Sequence, residues 1–404
     1  PKLKADIEDC IRRGVAWLKQ RQEPAGSWPE LEQLPAYGGG DADRYHPEMS
    51  ALALLALLKC EVPPNDPCII QGFDWLKKQD FVTGGYGCAT TLMALEAKYA
   101  PKESLAGRDG KKKTSKPKPI QLSPDDAVWA AKLTTQILGY QAANGGWRYA
   151  AAPADAEGGK PGVADVSATQ YALMGLKTAH RMGIPVKPEA FARAADFLMD
   201  QQEADGKKTS RVTERARAEA DNPRPEGTEE AGDYGKDRTR GFPYMKNNEK
   251  PNYRQASAAM TCAGVVGMLI CRSEALEDKG LKKEERAKRL ARMEQSIYDG
   301  LAWLDAHWSV EQNNPRGERE LGYYLYGLER LGVMADLRFI GPGHDWYLEG
   351  ARVWTSRMRK EGNDKGSWAI GKARPKTETQ ETPYGLLFLR KASIRLGYAI
   401  GESE

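Results

Sequence analysis

Two kinds of apolar segment alternate along this chain. The first is one-sided: in 7–22, Ile7, Ile11, Val15 and Leu18 recur at helical spacing with Trp17 beside them, while charged residues fill the other side. That spacing predicts an amphipathic helix with one face on a core. The second kind is apolar nearly all round. Ala51–Leu58 reads Ala-Leu-Ala-Leu-Leu-Ala-Leu-Leu, and Gln170–Leu176, Ser257–Cys271 and Tyr384–Leu389 continue the series. A helix apolar on every side has to be enclosed by protein. The pattern therefore predicts helix pairs, one member half-exposed and the other enclosed.

The loop inside each pair repeats as well. Trp17-Leu18 is followed by Gln22 and Gly26-Ser27-Trp28, and Trp75-Leu76 by Gln79 and Gly85-Tyr86. Ile137-Leu138 is followed by Gln141 and Gly146-Trp147, and Phe197-Leu198 by Gln201 and Gly241-Phe242. Degenerate copies stand at Trp303-Leu304 and at Trp354 with Gly366-Ser367-Trp368. Between the anchors Trp17, Trp75, Ile137, Phe197, Trp303 and Trp354 the steps are 58, 62, 60, 106 and 51 residues, and the long step contains the 49-residue charged stretch Ala204–Asn252. Removing that stretch leaves 57, so the chain reads as six units of one repeat. Six half-exposed helices alternating with six enclosed ones predict an all-α fold, an (α/α)6 barrel or toroid of six helical hairpins, forming one domain over 1–404. Gly lets the chain turn sharply out of the first helix, the aromatic packs on a neighbouring unit, and Gln bonds loop backbone groups.

Two inserted loops break the pattern, at about 101–119 and 204–252. The first carries Lys111, Lys112, Lys113, Lys116 and Lys118 among Pro, Ser and Gly and reads as a solvated loop. The second has many charges and few apolar residues, so it cannot form a core of its own. It is expected either to cover one mouth of the barrel or to lack order, and both loops offer a surface to a protein partner.

Charge is plentiful but balanced, +4 from 60 basic and 56 acidic residues, which argues against a nucleic-acid partner. No apolar run approaches the roughly 20 residues that span a bilayer, so no transmembrane segment is expected. No secretory signal is present either, though Pro1 in place of Met leaves room for an upstream leader. Six cysteines at 10, 60, 68, 88, 262 and 271 lack metal-site spacing and read as buried thiols. This favours a reducing compartment such as the cytoplasm. Cys60 and Cys68, across a short Pro-rich loop, form the one pair placed to bridge.

The repeats resemble the QW repeats of squalene and hopene cyclases and the related repeats of protein prenyltransferase β-subunits. The resemblance covers nearly the whole chain and is strongest at 13–28 and 137–149. Gly322–Gly332 with His344–Tyr347 looks like the prenyltransferase/squalene-oxidase-repeat proteins of some bacteria. It implies the α/α toroid and, for activity, a cyclase or prenyltransferase acting on an isoprenoid. The motifs that accompany those activities do not follow. No DxDD acid is present; Asp41-Ala-Asp43 and Asp125-Asp126 come nearest, and the latter follows Ser123-Pro124 as a helix N-terminus would. Asp165–Tyr171 is similar to the zinc-binding helix opening of a prenyltransferase, but with Ala where the thiolate stands. The histidines, His46, His180, His307 and His344, show no ligand spacing.

Residues that open the enclosed helices should ring one mouth of the barrel. Asp41, Asp43, His46, Glu48, Asp165, Glu320 and Glu381 are the candidate acid/base groups there. Tyr86, Gln170, Tyr253, Arg254, Tyr323, Tyr324 and Tyr384 are the candidate ligand contacts. Converging helix N-termini would make this mouth partly positive. No cofactor is expected, although Asp41/Asp43/His46/Glu48 is dense enough for a divalent cation. Three functions follow: a cyclase- or prenyltransferase-like toroid holding an isoprenoid or other apolar small molecule, a non-catalytic binding or scaffold toroid, and a carbohydrate-active lyase or hydrolase. A continuous apolar cavity favours the first, a centre filled by side chains the second, and two facing carboxylates the third.

Overall fold

Helical periodicity and Pro or Ser caps govern the structure. The computed structural model describes residues 2–28, 46–79, 85–100, 120–148, 164–211, 236–371, 378–393 and 396. Within them the helices are α1 (Lys2–Arg21), α2 (His46–Lys59), α3 (Pro67–Leu76), α4 (Gly85–Tyr99), α5 (Pro124–Gly139), α6 (Val166–Arg181) and α7 (Pro188–Gln201). They continue with α8 (Pro251–Arg254), α9 (Ala258–Glu277), α10 (Lys283–Ala306), α11 (Leu321–Met334), α12 (Trp346–Arg357) and α13 (Glu378–Arg390). Two antiparallel two-residue ribbons complete the described structure: β1 (Lys208–Thr209) with β2 (Asp237–Arg238), and β3 (Phe339–Ile340) with β4 (His344–Asp345). The chain is all-α in class.

Caps account for several starts. Ser123 accepts from the Asp126 amide at the head of α5, Asp165 from Ala168 at α6, and Ser257 from Met260 at α9. The Asp125-Asp126 pair thus begins a helix, as expected. Asp126 itself is buried between Lys77 (2.5 Å) and Lys98 (2.8 Å) and accepts from Tyr99. Burial would raise its pKa, but these partners outweigh it and bring the carboxyl down to about 2.

The enclosed helices are α2, α4, α6, α9, α11 and α13. Each packs on the next in that order, and α13 packs back on α2. The amphipathic helices flank them: α1 lies against α13 and α2, α5 against α4 and α6, α7 against α6 and α9, and α12 against α11 and α13. α9 is long and apolar enough to cross a membrane, the one such helix among the described residues, and protein surrounds it completely. The sequence reading found no such run because Arg272, Glu274 and Glu277 interrupt it; in the fold α9 is a core helix.

The repeat motif couples successive units. Trp28 Nε1 donates to Leu18 O (2.8 Å), Trp147 Nε1 to Ile137 O (2.7 Å) and Trp368 Nε1 to Trp354 O (2.7 Å). The amides of Trp28, Trp147, Phe242 and Trp368 donate to Ser50, Thr169, Thr261 and Thr382 on the enclosed helices. Gln22 Nε2 donates both to Gly26 O in its own loop and to Cys68 O in the next flanking helix, and Gln141 treats Gly145 O and Ala190 O alike. Two glycines of the motif are required by geometry. Gly26 and Gly145 have φ of +101° and +91°, and a Cβ there would fall 2.4 Å from Gln71 O and 2.3 Å from Arg193 O.

These bonds correct the sequence alignment by one residue in three units, and in the sixth Trp354 takes the place of Leu18 rather than of Trp17. The equivalent of Leu18 is Ile137, not Leu138, because both carbonyls receive the indole N–H. In the fourth unit the stapling glutamine is Gln202, not Gln201: its Nε2 donates to Arg240 O and Ser296 O at 3.0 Å each, and its Oε1 accepts from Ser296 Oγ. The last motif also meets the first helix: Arg21 pairs with Asp364, and Gly366 packs on Arg13.

The described ends of the 204–252 insertion are ordered. β1 and β2 pair, Arg211 reaches Asp237 at 3.1 Å, and Arg240 binds Asp299 of α10 at 2.6 Å. Residues 237–240 lie against the flanking helix α10 and are held there by charge pairs, while Phe242 is buried against α9. Residues 212–235 and the whole 101–119 loop lie outside the described residues. All six cysteines are free, Cys60 and Cys68 among them.

Because Gln202 bonds two backbone carbonyls while only 2% exposed, Gln202→Ala should cost about 2–4 kcal/mol, whereas Gln201→Ala should cost about 1 kcal/mol for its bond from Lys246 N and a long one to the neighbouring Asp200. Denaturant unfolding of both variants measures the difference, and equal losses would contradict the register given above.

Candidate functional site

The enclosed helices turn one face to a common centre, and their N-terminal halves fill it with tyrosine. Tyr86 of α4 donates to Ser167 Oγ of α6 (2.6 Å), which lies 2.6 Å from Tyr323 OH of α11. Tyr323 OH in turn is 3.4 Å from Gln170 Oε1. The rings of Tyr86 and Tyr171 lie 4.3 Å apart, Tyr171 and Tyr323 6.5 Å, Tyr323 and Tyr384 6.1 Å, and Tyr326 and Tyr384 5.1 Å. Thus four of the predicted contact residues, Tyr86, Gln170, Tyr323 and Tyr384, do converge. Burial pushes the phenols of Tyr326 and Tyr384 well above their ordinary range, so both are neutral.

The other predicted residues are placed differently. Tyr324 is buried but takes no part in this cluster, since the next residue along a helix points about 100° away. Tyr253 and Arg254 stand on the single turn α8, where Tyr253 packs on Tyr244 at 5.2 Å. Glu48 lies in the first turn of α2, near enough to Tyr384 to raise its pKa further. His46 opens α2, and Asp41 and Asp43 lie outside the described residues.

Asp165, Glu320 and Glu381 are occupied by local structure. Asp165, 2% exposed, caps α6 and also bonds Tyr244; burial outweighs those bonds and raises its pKa to about 7. Glu381 accepts from the amides of Ile370 and Gly371, and burial likewise pushes it upward. Glu320 holds the left-handed position before α11 at φ +58°, with Arg319 at 4.0 Å.

Beneath the tyrosines, at the C-terminal ends of the enclosed helices, lies a cavity of about 50 Å³ that all six of those helices line. This is the end opposite the predicted mouth. Its apolar wall is Leu55, Met93, Met174, Ile270, Met334 and Leu387. Its charged residues are Lys59, Glu96, Lys177, Arg181 and Arg330. Arg181 pairs with Glu96 at 2.9 Å, and Lys177 with Glu274 at 2.7 Å. Arg330 is 1% exposed; its Nη2 donates to Tyr171 OH at 3.0 Å and its guanidinium lies 3.7 Å from the Tyr326 ring centre. Its Nε and Nη1 have no hydrogen-bond partner among the described residues.

A second cluster borders the cavity. His180 Nδ1 is 2.9 Å from Glu274 Oε2, and with Glu277 these residues bring their donor atoms within 4.8 Å of one another. Such a set could hold a metal ion, but the Lys177 ammonium already sits between the two carboxylates, 2.7 Å from one and 3.8 Å from the other. The Glu274 bond raises the His180 pKa. Burial would raise Glu274, yet His180 and Lys177 together hold it below its ordinary value.

Sequence reasoning missed Arg330 and the cavity. A signal existed: Glu329-Arg330 is a charged pair inside the apolar run 321–334, and a charge in an enclosed helix requires a reason. No protein-family model matches the chain, and no curated protein matches it.

Asp165 provides a pH test. Its folded pKa of about 7 lies above the ordinary value of 3.8, so its stabilising contribution is complete below pH ~4 and is lost as pH rises through 7. Asp165→Asn keeps an oxygen for the cap but cannot ionise. Melting temperatures of the two proteins should therefore diverge in the variant's favour between pH 4 and 7; a constant gap would contradict a buried, uncharged Asp165.

Proposed function

We propose that this chain is an (α/α)6 toroid that binds a small, largely apolar molecule at the C-terminal ends of its enclosed helices, without acid catalysis. The cyclic order of helix contacts supports the toroid, as do the Gln and Trp staples that join consecutive units. The resemblance to squalene and hopene cyclases and prenyltransferase β-subunits agrees with that architecture.

One observation carries the binding reading: a cavity surrounded by all six enclosed helices and walled by Leu, Ile and Met. Its volume of about 50 Å³ corresponds to roughly three to five waters, the space of a ligand of a few carbons rather than a long isoprenoid. Three of the wall residues, Met93, Met174 and Met334, are unbranched and adaptable, so the pocket can reshape around its occupant. The carboxylates Asp165 and Glu381 at the other end are spent on backbone amides. Among the described residues a cluster of tyrosines occupies the N-terminal half of the centre, which favours binding over the cyclase chemistry of the resembling families.

A thermal-shift panel of neutral and charged compounds of two to six carbons tests this reading. At least one should raise the melting temperature by roughly 3 °C at saturation. Met174→Phe, which fills the cavity, should abolish that shift while leaving the far-ultraviolet dichroism intact. No shift across the panel, or a shift indifferent to Met174→Phe, would rule the cavity out as the binding site.

A further inference from the structure

We infer that the cavity is an anion site built around Arg330, and that its ligand is a monocarboxylate with a short apolar tail. The inference rests on the reading of the cavity as a ligand site and specifies its chemistry.

A guanidinium buried to 1% exposure is costly unless it is paired. Arg330 has one hydrogen bond to Tyr171 and the π faces of Tyr326 and Tyr171 at 3.7 and 4.8 Å. Those faces offset part of the cost. Two of its nitrogens nonetheless stay unpartnered, in a residue that lines the cavity. The other cations of the lining are engaged elsewhere: Lys177 with Glu274, Arg181 with Glu96, and Lys59 with a partner of its own. Lysines and arginines near helix C-termini often serve to balance the helix dipole. That role would direct the Arg330 donors onto terminal carbonyls, and Nε and Nη1 reach none.

The class of anion follows from charge and wall. One unpaired guanidinium supplies one positive charge, which a monoanion neutralises and a phosphate dianion would exceed. The apolar side of the wall, Leu55, Met93, Met174, Ile270, Met334 and Leu387, suits a hydrocarbon tail, while the charges of Lys177 and Arg181 are already spent on Glu274 and Glu96 and offer a second phosphate charge no unspent partner. The carboxylate end would accept from Arg330 in a low-dielectric site, where charge-assisted bonds are strongest.

Butyrate, butanol and inorganic phosphate, titrated at constant ionic strength and followed by thermal shift and calorimetry, form the test. Butyrate is expected to bind saturably, phosphate not at all, and butanol at least about tenfold more weakly, the loss typical of one hydrogen bond to a charged group. Arg330→Met should weaken butyrate by a similar factor and leave butanol unchanged. A readout without any variant is the carbon-13 signal of carboxyl-labelled butyrate on the native protein: it should broaden saturably, and excess unlabelled butyrate but not butanol should reverse this. Equal binding of butyrate and butanol would overturn the anion inference while leaving the cavity as an apolar site. Binding of phosphate in preference to butyrate would overturn the carboxylate class. Binding of neither four-carbon probe, with no shift from any other panel compound, would overturn both this inference and the reading on which it rests.

Discussion

The fold depends on satisfying the backbone between units. The enclosed helices are surrounded by protein, and the described loop segments 22–28, 141–148 and 239–242 carry backbone carbonyls close to them, where unpaired carbonyls are expensive. The side chains of Gln22, Gln141 and Gln202 solve this by donating at once to their own loop and to the next flanking helix. The indoles of Trp28, Trp147 and Trp368 do the same for the end of the preceding helix. Each such bond fixes the position of one unit relative to the next. The orientation of every enclosed helix, and hence which of its faces meets the centre, follows from these staples.

That orientation produces a centre with two distinct halves. Toward the helix N-termini, tyrosines from α4, α6, α11 and α13 stack and share hydroxyl bonds through Ser167. Toward the C-termini, aliphatic side chains and methionines leave a small space that Arg330 enters from α11. The tyrosines hold Arg330 from one side by a hydrogen bond and a stacked ring, which positions its charge without neutralising it. Several buried charges elsewhere are paired with opposite charges, as with Lys177, His180 and Glu274 or Asp126 with its two lysines. Arg330 instead keeps two donors of a charged group unspent in a residue that lines the cavity, and this gives the cavity its chemical character.

Much of the architecture could be read from the chain. The alternation of one-sided and fully apolar helices, the Ser123 and Asp165 starts, and the free cysteines all follow from local pattern and composition. The site was legible only in part. Tyr86, Gln170, Tyr323 and Tyr384 were identifiable because they open enclosed helices, but Tyr324 was equally eligible by sequence and faces away. Arg330 carried a visible signal, a charge amid apolar residues, whose meaning depends on whether a carboxylate lies opposite. No reading of α11 alone could supply that.

Sequence by itself thus determined the helical class and the division into enclosed and flanking helices, because periodicity and hydrophobicity act within a few turns of one chain segment. Tertiary structure alone decided that Gln202 rather than Gln201 staples the fourth unit, that the cavity opens at the C-terminal rather than the N-terminal ends of the enclosed helices, and that two donors of Arg330 meet no partner among the described residues. The physical reason is angular. Adjacent helical residues differ by about 100° in direction, so a one-residue change of register separates a residue that meets the centre from one that meets a neighbour. The register is set by contacts between units far apart in the chain.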